Sequence, residues 1–342
     1  MSGLVACDAP LAESFDLALV DLDGVAYKGH ESIPRAAEGL TGARERGMRL
    51  VFVTNNASRE PESVAAQLSG LGIATEPAEV MTAAQAAAAV LTTRLAPGAK
   101  VLVVGGAGLV TAVQQAGFVV VTSADDAPDA VAQGFAPELA WPQLAEAAYA
   151  VQRGAWHVAS NLDLSLPTPR GFAPGNGALV GAVQAATGVT PDSAGKPAPT
   201  MFRLAVARAG AKRPLVIGDR LDTDLAGARA ADYPGLLVLT GVSSARDAVL
   251  ARPAERPHLI GGDLVSLLEP HPAPAPGPEG WWTTREAAAR VVDGRLEVRG
   301  WTGVLAARVD VVRSACAAAW DAVDRGNAVD PGSVPDLAVH DG

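Results

Sequence analysis

"LALVDLDGVAYKG", residues 17–29, is the stretch on which the reading of the whole chain turns. Four apolar residues, Leu17 to Val20, lead into Asp21 and Asp23, and Gly24 follows at once. A short continuous apolar run fits a strand buried on both faces of a parallel sheet. Residues i and i+2 of a strand face the same way, so the two carboxylates are expected to project together from its C-terminal end. In an open α/β sheet that end is where ligands bind. Two adjacent carboxylates repel and call for a cation, a shared proton, or both, and oxygen-only donors suit Mg²⁺. A pair of solvated loop acids is the plain alternative, which this stretch alone does not exclude.

Runs of the same kind recur: "MRLVFVT", "KVLVVGG", "FVVVT", "DAVAQGF", "AWHVASN", "RPLVIGD" and "GLLVLTG". Between them lie helical patterns at 35–46, 61–70, 82–95, 108–116, 141–153, 178–187, 199–209 and 223–231. Alternating units of this type predict an α/β fold with right-handed crossovers. Ser58 is a candidate helix N-cap, with Glu60 and Glu62 in the first turn. The polar, chemistry-bearing segments fall at 18–60 and 190–232, with a β/α series between them, so one α/β domain is expected to be inserted into another.

Three further stretches join the first. "VFVTNNAS" ends a strand with Thr54, Asn55 and Asn56, where a hydroxyl and free backbone N–H groups can hold phosphate oxygens or simply cap a helix. "AGKPAPTMF" sets Lys196, one of only four lysines, between glycine and proline just before a helix, which favours a positioned charge over a free surface one. "LVIGDRLDTDLAGA" ends a third strand with Asp219, then Asp222 and Asp224. These acids either cap a helix or complete a Mg²⁺ site begun by Asp21 and Asp23.

These motifs, in this order, resemble the haloacid-dehalogenase-like phosphohydrolases, and within them the subgroup of 4-nitrophenylphosphatases and phosphoglycolate phosphatases. The resemblance covers about residues 14–268. One departure is Arg35, where that subgroup usually has glycine after "IP". The resemblance implies a Rossmann-like parallel-sheet core (1–81 and 189–268) with an inserted α/β cap domain (82–188). It implies Asp21 as nucleophile through an aspartyl-phosphate, and Asp23 as general acid and then base. Mg²⁺ would be held by Asp21, the Asp23 carbonyl and Asp219, with Asp222 or Asp224 behind them. Lys196, Thr54 and the backbone N–H groups of Gly24, Asn55 and Asn56 would bind the phosphoryl oxygens. In the cap, Asn161 and Asp163 match a family loop facing the site and would set substrate specificity, with Arg170 as a lesser candidate. The implied substrate is a small phosphorylated metabolite, glycerol 3-phosphate or 2-phosphoglycolate first. A nucleotidase, a pyridoxal-phosphate phosphatase and a phospho-Asp signalling module are the competing readings.

The totals agree with a small substrate. The 342 residues exceed one simple core, 49% are hydrophobic, and the net charge of −10 argues against nucleic acid or an anionic membrane. Cys7 and Cys316 have no metal-site spacing, and no apolar run reaches membrane-span length, so a cytoplasmic protein is expected. "VLVVGGAGLVTAV" is not G-x-G-x-x-G, because Thr111 stands at the last glycine, and a tight strand-to-helix turn explains it better. "EPHPAPAPGPEG" (269–280) reads as an extended linker. Residues 281–342 read as a short α+β extension holding four of the six tryptophans: a hairpin with an Asp-Gly turn, a helix, and a disordered end from about Asn327. The cap or this extension would carry any self-association.

Overall fold

The computed structural model describes residues 3–168 and 170–340. The chain divides into two compact units, Met1–Val51 with Leu71–Ile73 and Ala209–Gly342, and Phe52–Gly70 with Ala74–Arg208.

In the first unit, parallel strands lie in the order Leu259–Gly261, Gly235–Val238, Pro214–Gly218, Leu17–Val20, then Arg49–Thr54. Every residue of Leu17–Val20 and of Pro214–Gly218 is buried, which is why these segments are continuous apolar runs. The two strands pair with Val20 opposite Ile217, so their C-terminal ends are level. The chain order reverses between them, and this switch point is where α/β sheets bind ligands. Asp21 follows one strand and Asp219 the other.

The helix Ala36–Glu45 starts from Arg35 in the left-handed region, with φ 62°. Glycine adopts that conformation without steric cost. Here an arginine does so, hydrogen-bonded to Glu38 at 2.9 and 3.0 Å and 3.6 Å from the Asp263 carboxylate.

The C-terminal part of this unit is a four-stranded antiparallel sheet, Ala275–Pro276, Trp282–Thr284, Ala287–Val292 and Arg295–Arg299, with the helix Leu305–Asp324. Asp293 and Gly294 turn the hairpin with φ 49° and 76°, the pair of positive values a two-residue type I′ turn requires. The expected linker is tied down at both ends: His271 bridges Cys7, and Ala275 pairs with Thr283. The helix shares one core with the parallel sheet. Val311, Val312, Ala315, Cys316 and Trp320 pack with Leu237, Ala248, Val249 and Ile260. Arg313 donates to the Ile260 carbonyl at 2.6 and 3.1 Å, and Trp320 Nε1 to the Ala248 carbonyl at 3.1 Å.

The expected disordered end is instead packed. Val334, Leu337 and Val339 belong to the same core, and Arg308 donates to the Val339 carbonyl at 3.1 Å. Isolated apolar residues in a polar, Pro/Gly-containing segment gave no periodic signal in the sequence. Truncation at Pro270 therefore strips a shared core. The truncated protein is expected to unfold at markedly lower temperature or to aggregate, and a melting point equal to that of the full chain would contradict this.

In the second unit, Asp192–Ser193, Trp156–Ala159, Ala130–Gln133, Lys100–Val104 and Val119–Val121 form a parallel sheet in that order. It carries the helices Ala83–Leu91, Ala107–Gln115, Trp141–Gln152 and Asn176–Thr187. The latter half of Arg49–Thr54 pairs with Val80–Thr82. Thr82 caps Ala83–Leu91 in a reciprocal box with Gln85. The glycines at 106 and 108 serve packing, as expected, but against a loop: a Cβ at Gly108 would lie 2.5 Å from the Arg59 carbonyl oxygen, and one at Gly106 would lie 2.9 Å from Ser58 Cα. Among the described residues no helix is long and apolar enough to cross a membrane.

Candidate active site

In the first unit, Asp21, Asp219 and Asp224 each offer a carboxylate oxygen within 4.8 Å of the others. Asp21 extends its strand by one residue, its N–H bonding the Ile217 carbonyl at 2.9 Å. Asp219 is fully buried. Its Oδ2 accepts from the Val242 N–H at 2.6 Å and its carbonyl from the Ser243 N–H at 3.0 Å. Asp224 reaches the strand ends through a wide turn. Residues Leu221–Leu225 form a π-helical turn, with the N–H groups of Asp224 and Leu225 both bonding the Arg220 carbonyl, at 3.1 and 3.2 Å. Such turns recur at functional sites because they re-aim one side chain without ending the helix.

Gly218 makes this possible, since a Cβ there would coincide with the Asp224 side chain. Gly218→Ala is expected to displace Asp224 and lower turnover by about 100-fold. Unchanged kinetics and metal affinity in that variant would refute the role given to Asp224.

Three hard, anionic oxygen donors fit a divalent cation such as Mg²⁺. The composition of the set differs from expectation. Asp224 is one of the three, whereas Asp222 is exposed and forks onto Arg220 at 2.8 and 3.1 Å. That hydrogen bonding holds the Asp222 carboxyl below its ordinary pKa. The Asp23 side chain stands outside the trio. The strand ends at Val20, and the N–H groups of Val25, Ala26 and Tyr27 fold back onto the Leu22 carbonyl, so strand alternation no longer governs Asp23. Gly24 also differs. Its N–H donates to the Tyr27 carbonyl at 2.8 Å, not toward a ligand. Its value lies in φ 82° and in close approach, since a Cβ would sit 2.7 Å from Asp219 Cγ.

In the second unit, Thr54, Asn55, Asn161, Asp163 and Lys196 come together. Lys196 is 4% exposed, and its Nζ lies 3.4 Å from the Val53 carbonyl oxygen. The Asn55 side chain bonds Lys196 and Asp163, and Asn161 bonds the Asn55 carbonyl at 2.8 Å. Asn161 thus spends its amide on the protein: its Nδ2 serves Asn55 and its Oδ1 accepts the Asp163 N–H at 3.1 Å. These bonds tie Asn161 to the loop beside Lys196. Asn56 is likewise occupied. Its N–H meets Thr54 Oγ1 at 3.1 Å, and its Oδ1 accepts from the Ser58 N–H and hydroxyl at 2.8 and 2.9 Å. Ser58, expected as a cap, donates to this turn instead. Arg170 is exposed, its N–H bonded to Thr168 Oγ1 at 3.2 Å.

Residues 18–119 match the family of haloacid dehalogenase-like hydrolases, and residues 193–267 match a second HAD-hydrolase-like family. The chain is 47% identical over 272 residues to the D-glycerol 3-phosphate phosphatase of Mycobacterium tuberculosis, a match covering 80% of this chain and 76% of that one. The chain belongs to the haloacid dehalogenase-like hydrolases. The hydrolase is also similar to a crystal structure of glycerol phosphate phosphatase from M. tuberculosis in complex with magnesium, with TM-score 0.84, 44% identity and 92% of each chain covered. A 4-nitrophenylphosphatase from Thermotoga maritima matches with TM-score 0.70 and 27% identity, over 75% of this chain and 98% of its own. A quarter of this hydrolase therefore has no counterpart in that smaller enzyme.

Two features of the hydrolase escaped sequence reasoning. Asp224 over Asp222 was decided by the π-turn, for which Gly218 before Asp219 was the available signal. The Asn55 side chain carries no local signal, because its partners Asp163 and Lys196 lie more than a hundred residues away in sequence.

Proposed function

We propose that the protein is a Mg²⁺-dependent phosphatase of small phosphorylated metabolites, with glycerol 3-phosphate as the leading substrate and 2-phosphoglycolate next. The observation that carries the chemistry is the trio Asp21, Asp219 and Asp224. Similarity to a D-glycerol 3-phosphate phosphatase supports the substrate. Residues 1–81 and 189–268 act as catalytic core and 82–188 as cap.

Asp21 attacks phosphorus and carries the phosphoryl group as an aspartyl-phosphate. Asp23, exposed at its turn, gives a proton to the leaving alkoxide and then takes one from the attacking water. Lys196 and the Thr54 hydroxyl bind the phosphoryl oxygens, where charge is stabilised without reorganisation at the moment of reaction. Asp21, Asp219 and Asp224 would hold a divalent cation, which would supply the charge neutralisation that lets an anionic nucleophile approach an anionic ester.

The test is a screen of purified protein with glycerol 3-phosphate, 2-phosphoglycolate, nucleoside monophosphates and pyridoxal phosphate. Highest kcat/KM on glycerol 3-phosphate is expected, and preference for a nucleotide would overturn the substrate. Excess EDTA should abolish turnover and Mg²⁺ restore it. Full activity in chelator would overturn the metal requirement.

A further inference from the structure

The side chain of Asn55 pairs with the main chain of Lys196 as a neighbouring strand would. Its Oδ1 accepts from the Lys196 N–H at 2.9 Å, and its Nδ2 donates to the Lys196 carbonyl at 3.2 Å. The same Nδ2 donates to both oxygens of Asp163, at 3.1 and 3.2 Å. Its two hydrogens are thus divided, one toward Lys196 and one shared by the carboxylate. The orientation of the amide follows from these partners, because a main-chain N–H must meet the oxygen and a carboxylate must meet the NH₂.

Asn55 is itself fixed from behind. Its carbonyl takes the Asn161 Nδ2–H, and the Asn161 carbonyl takes the Asn176 Nδ2–H at 2.7 Å. Asn176 opens the helix Asn176–Thr187 and is 2% exposed. Its Nδ2 lies 3.5 Å from the Gln133 carbonyl oxygen, and the Gln133 side chain meets buried His157 at 2.9 Å. A set of amides, buried at Gln133, Asn176 and Asn161 and half-buried at Asn55, therefore runs from the strand end at Gln133 to the lysine. A surface loop carrying a substrate-contacting acid needs no such set; a loop whose position must match that of Lys196 does.

We propose that Asn55 is a positioning residue: it locks the Lys196 main chain and the Asp163 carboxylate into one frame, with Asn161 and Asn176 holding it in place. This rests on the phosphatase reading above. It assigns to the Asn55 side chain, and to Asn161 and Asn176, a role in placing the lysine that no phosphate contact requires.

The experiment exchanges the polarity of the pair, read with 4-nitrophenyl phosphate so that leaving-group recognition is not in play. Asn55→Asp keeps an acceptor for the Lys196 N–H but loses the donor to the Lys196 carbonyl and sets two carboxylates face to face. It is expected to lower kcat by about 100-fold, since a misplacement of about 1 Å costs that much. Asn55→Asp with Asp163→Asn restores a donor and an acceptor between the two positions. It is expected to recover kcat to within about 10-fold of the wild type, because contacting residues are non-additive. A double variant no better than Asn55→Asp, or Asn55→Asp with wild-type kcat, overturns the proposal. Circular dichroism and melting are recorded for each protein. If Asn55→Asp fails to fold, the exchanged pair must restore fold and turnover together, and its failure to do so also overturns the proposal. Failure of the phosphatase reading is separate: the wild type would then turn over no phosphate monoester in Mg²⁺.

Discussion

Asp21→Asn is expected to lower turnover of every phosphate monoester by about 10⁴-fold or more, the scale of removing a covalent nucleophile. Two physical losses coincide in one substitution. An amide oxygen does not attack phosphorus as a carboxylate does. The metal-holding trio also falls from three anionic oxygens to two, since Asp219 and Asp224 remain and the introduced amide offers only a neutral donor. The fold should persist, because the Asp21 main chain, not its side chain, bonds the Ile217 carbonyl. Steady-state kinetics at saturating Mg²⁺ separates the two losses. Turnover recovered by excess metal would mean that Asp21 is only a ligand. Turnover near wild type without excess metal would remove the covalent mechanism altogether. Asp23→Asn should be milder and should slow both half-reactions, as its side chain stands outside the trio.

What the sequence disclosed about this site follows a physical pattern. Strand-end positions were legible, since continuous apolar runs mark strands buried on both faces and the acid that follows each run marks its open end. Asp21, Asp219 and Thr54 came from that logic, and Lys196 from its place between glycine and proline just before a helix. The Asp293-Gly294 hairpin was legible for a similar local reason, because few residues tolerate positive φ twice in succession. Decisions made by tertiary geometry were not legible. Two acids two residues apart, Asp222 and Asp224, look alike in a sequence, and only the π-turn sends one to the trio and the other to Arg220. The packed end of the chain was missed because Val334, Leu337 and Val339 are held by a core assembled from segments distant in sequence. Arg35 showed its oddity only against the family, and its φ of 62° supplies the reason that glycine is usual there.

Acid is expected to destabilise this protein from about pH 6.5 downward, starting above the ordinary carboxylate range. Three histidines are wholly or largely buried, and neutral. Burial pushes His157, His258 and His271 from the ordinary 6.5 down to about 4. Hydrogen bonding agrees for two of them. His258 Nδ1 accepts from the Gly235 N–H at 3.1 Å, and His271 Nδ1 takes a bond from buried Arg313 at 3.0 Å while its Nε2 meets the Ser266 carbonyl at 2.8 Å. Protonating either Nδ1 removes an acceptor, and at His271 it would set a second cation against a buried guanidinium. A folded pKa lowered below the unfolded one means that the unfolded chain binds the proton more readily. The stabilising contribution is complete above pH 6.5 and is lost as pH falls from there toward 4. Between about pH 7 and pH 5 each residue removes about 2 kcal/mol, so about 4 kcal/mol from the unit holding His258 and His271 and about 2 kcal/mol from the unit holding His157. Losses of that size are a large fraction of a domain's total stability. Denaturant unfolding at about pH 7, 6 and 5 should show falling midpoints, steeper in one transition than in the other. His258→Asn keeps an acceptor for the Gly235 N–H but cannot titrate there, and should flatten the steeper dependence by about half. Midpoints unchanged across that range would mean that these histidines reach protons through local opening, and that the core around them is not closed.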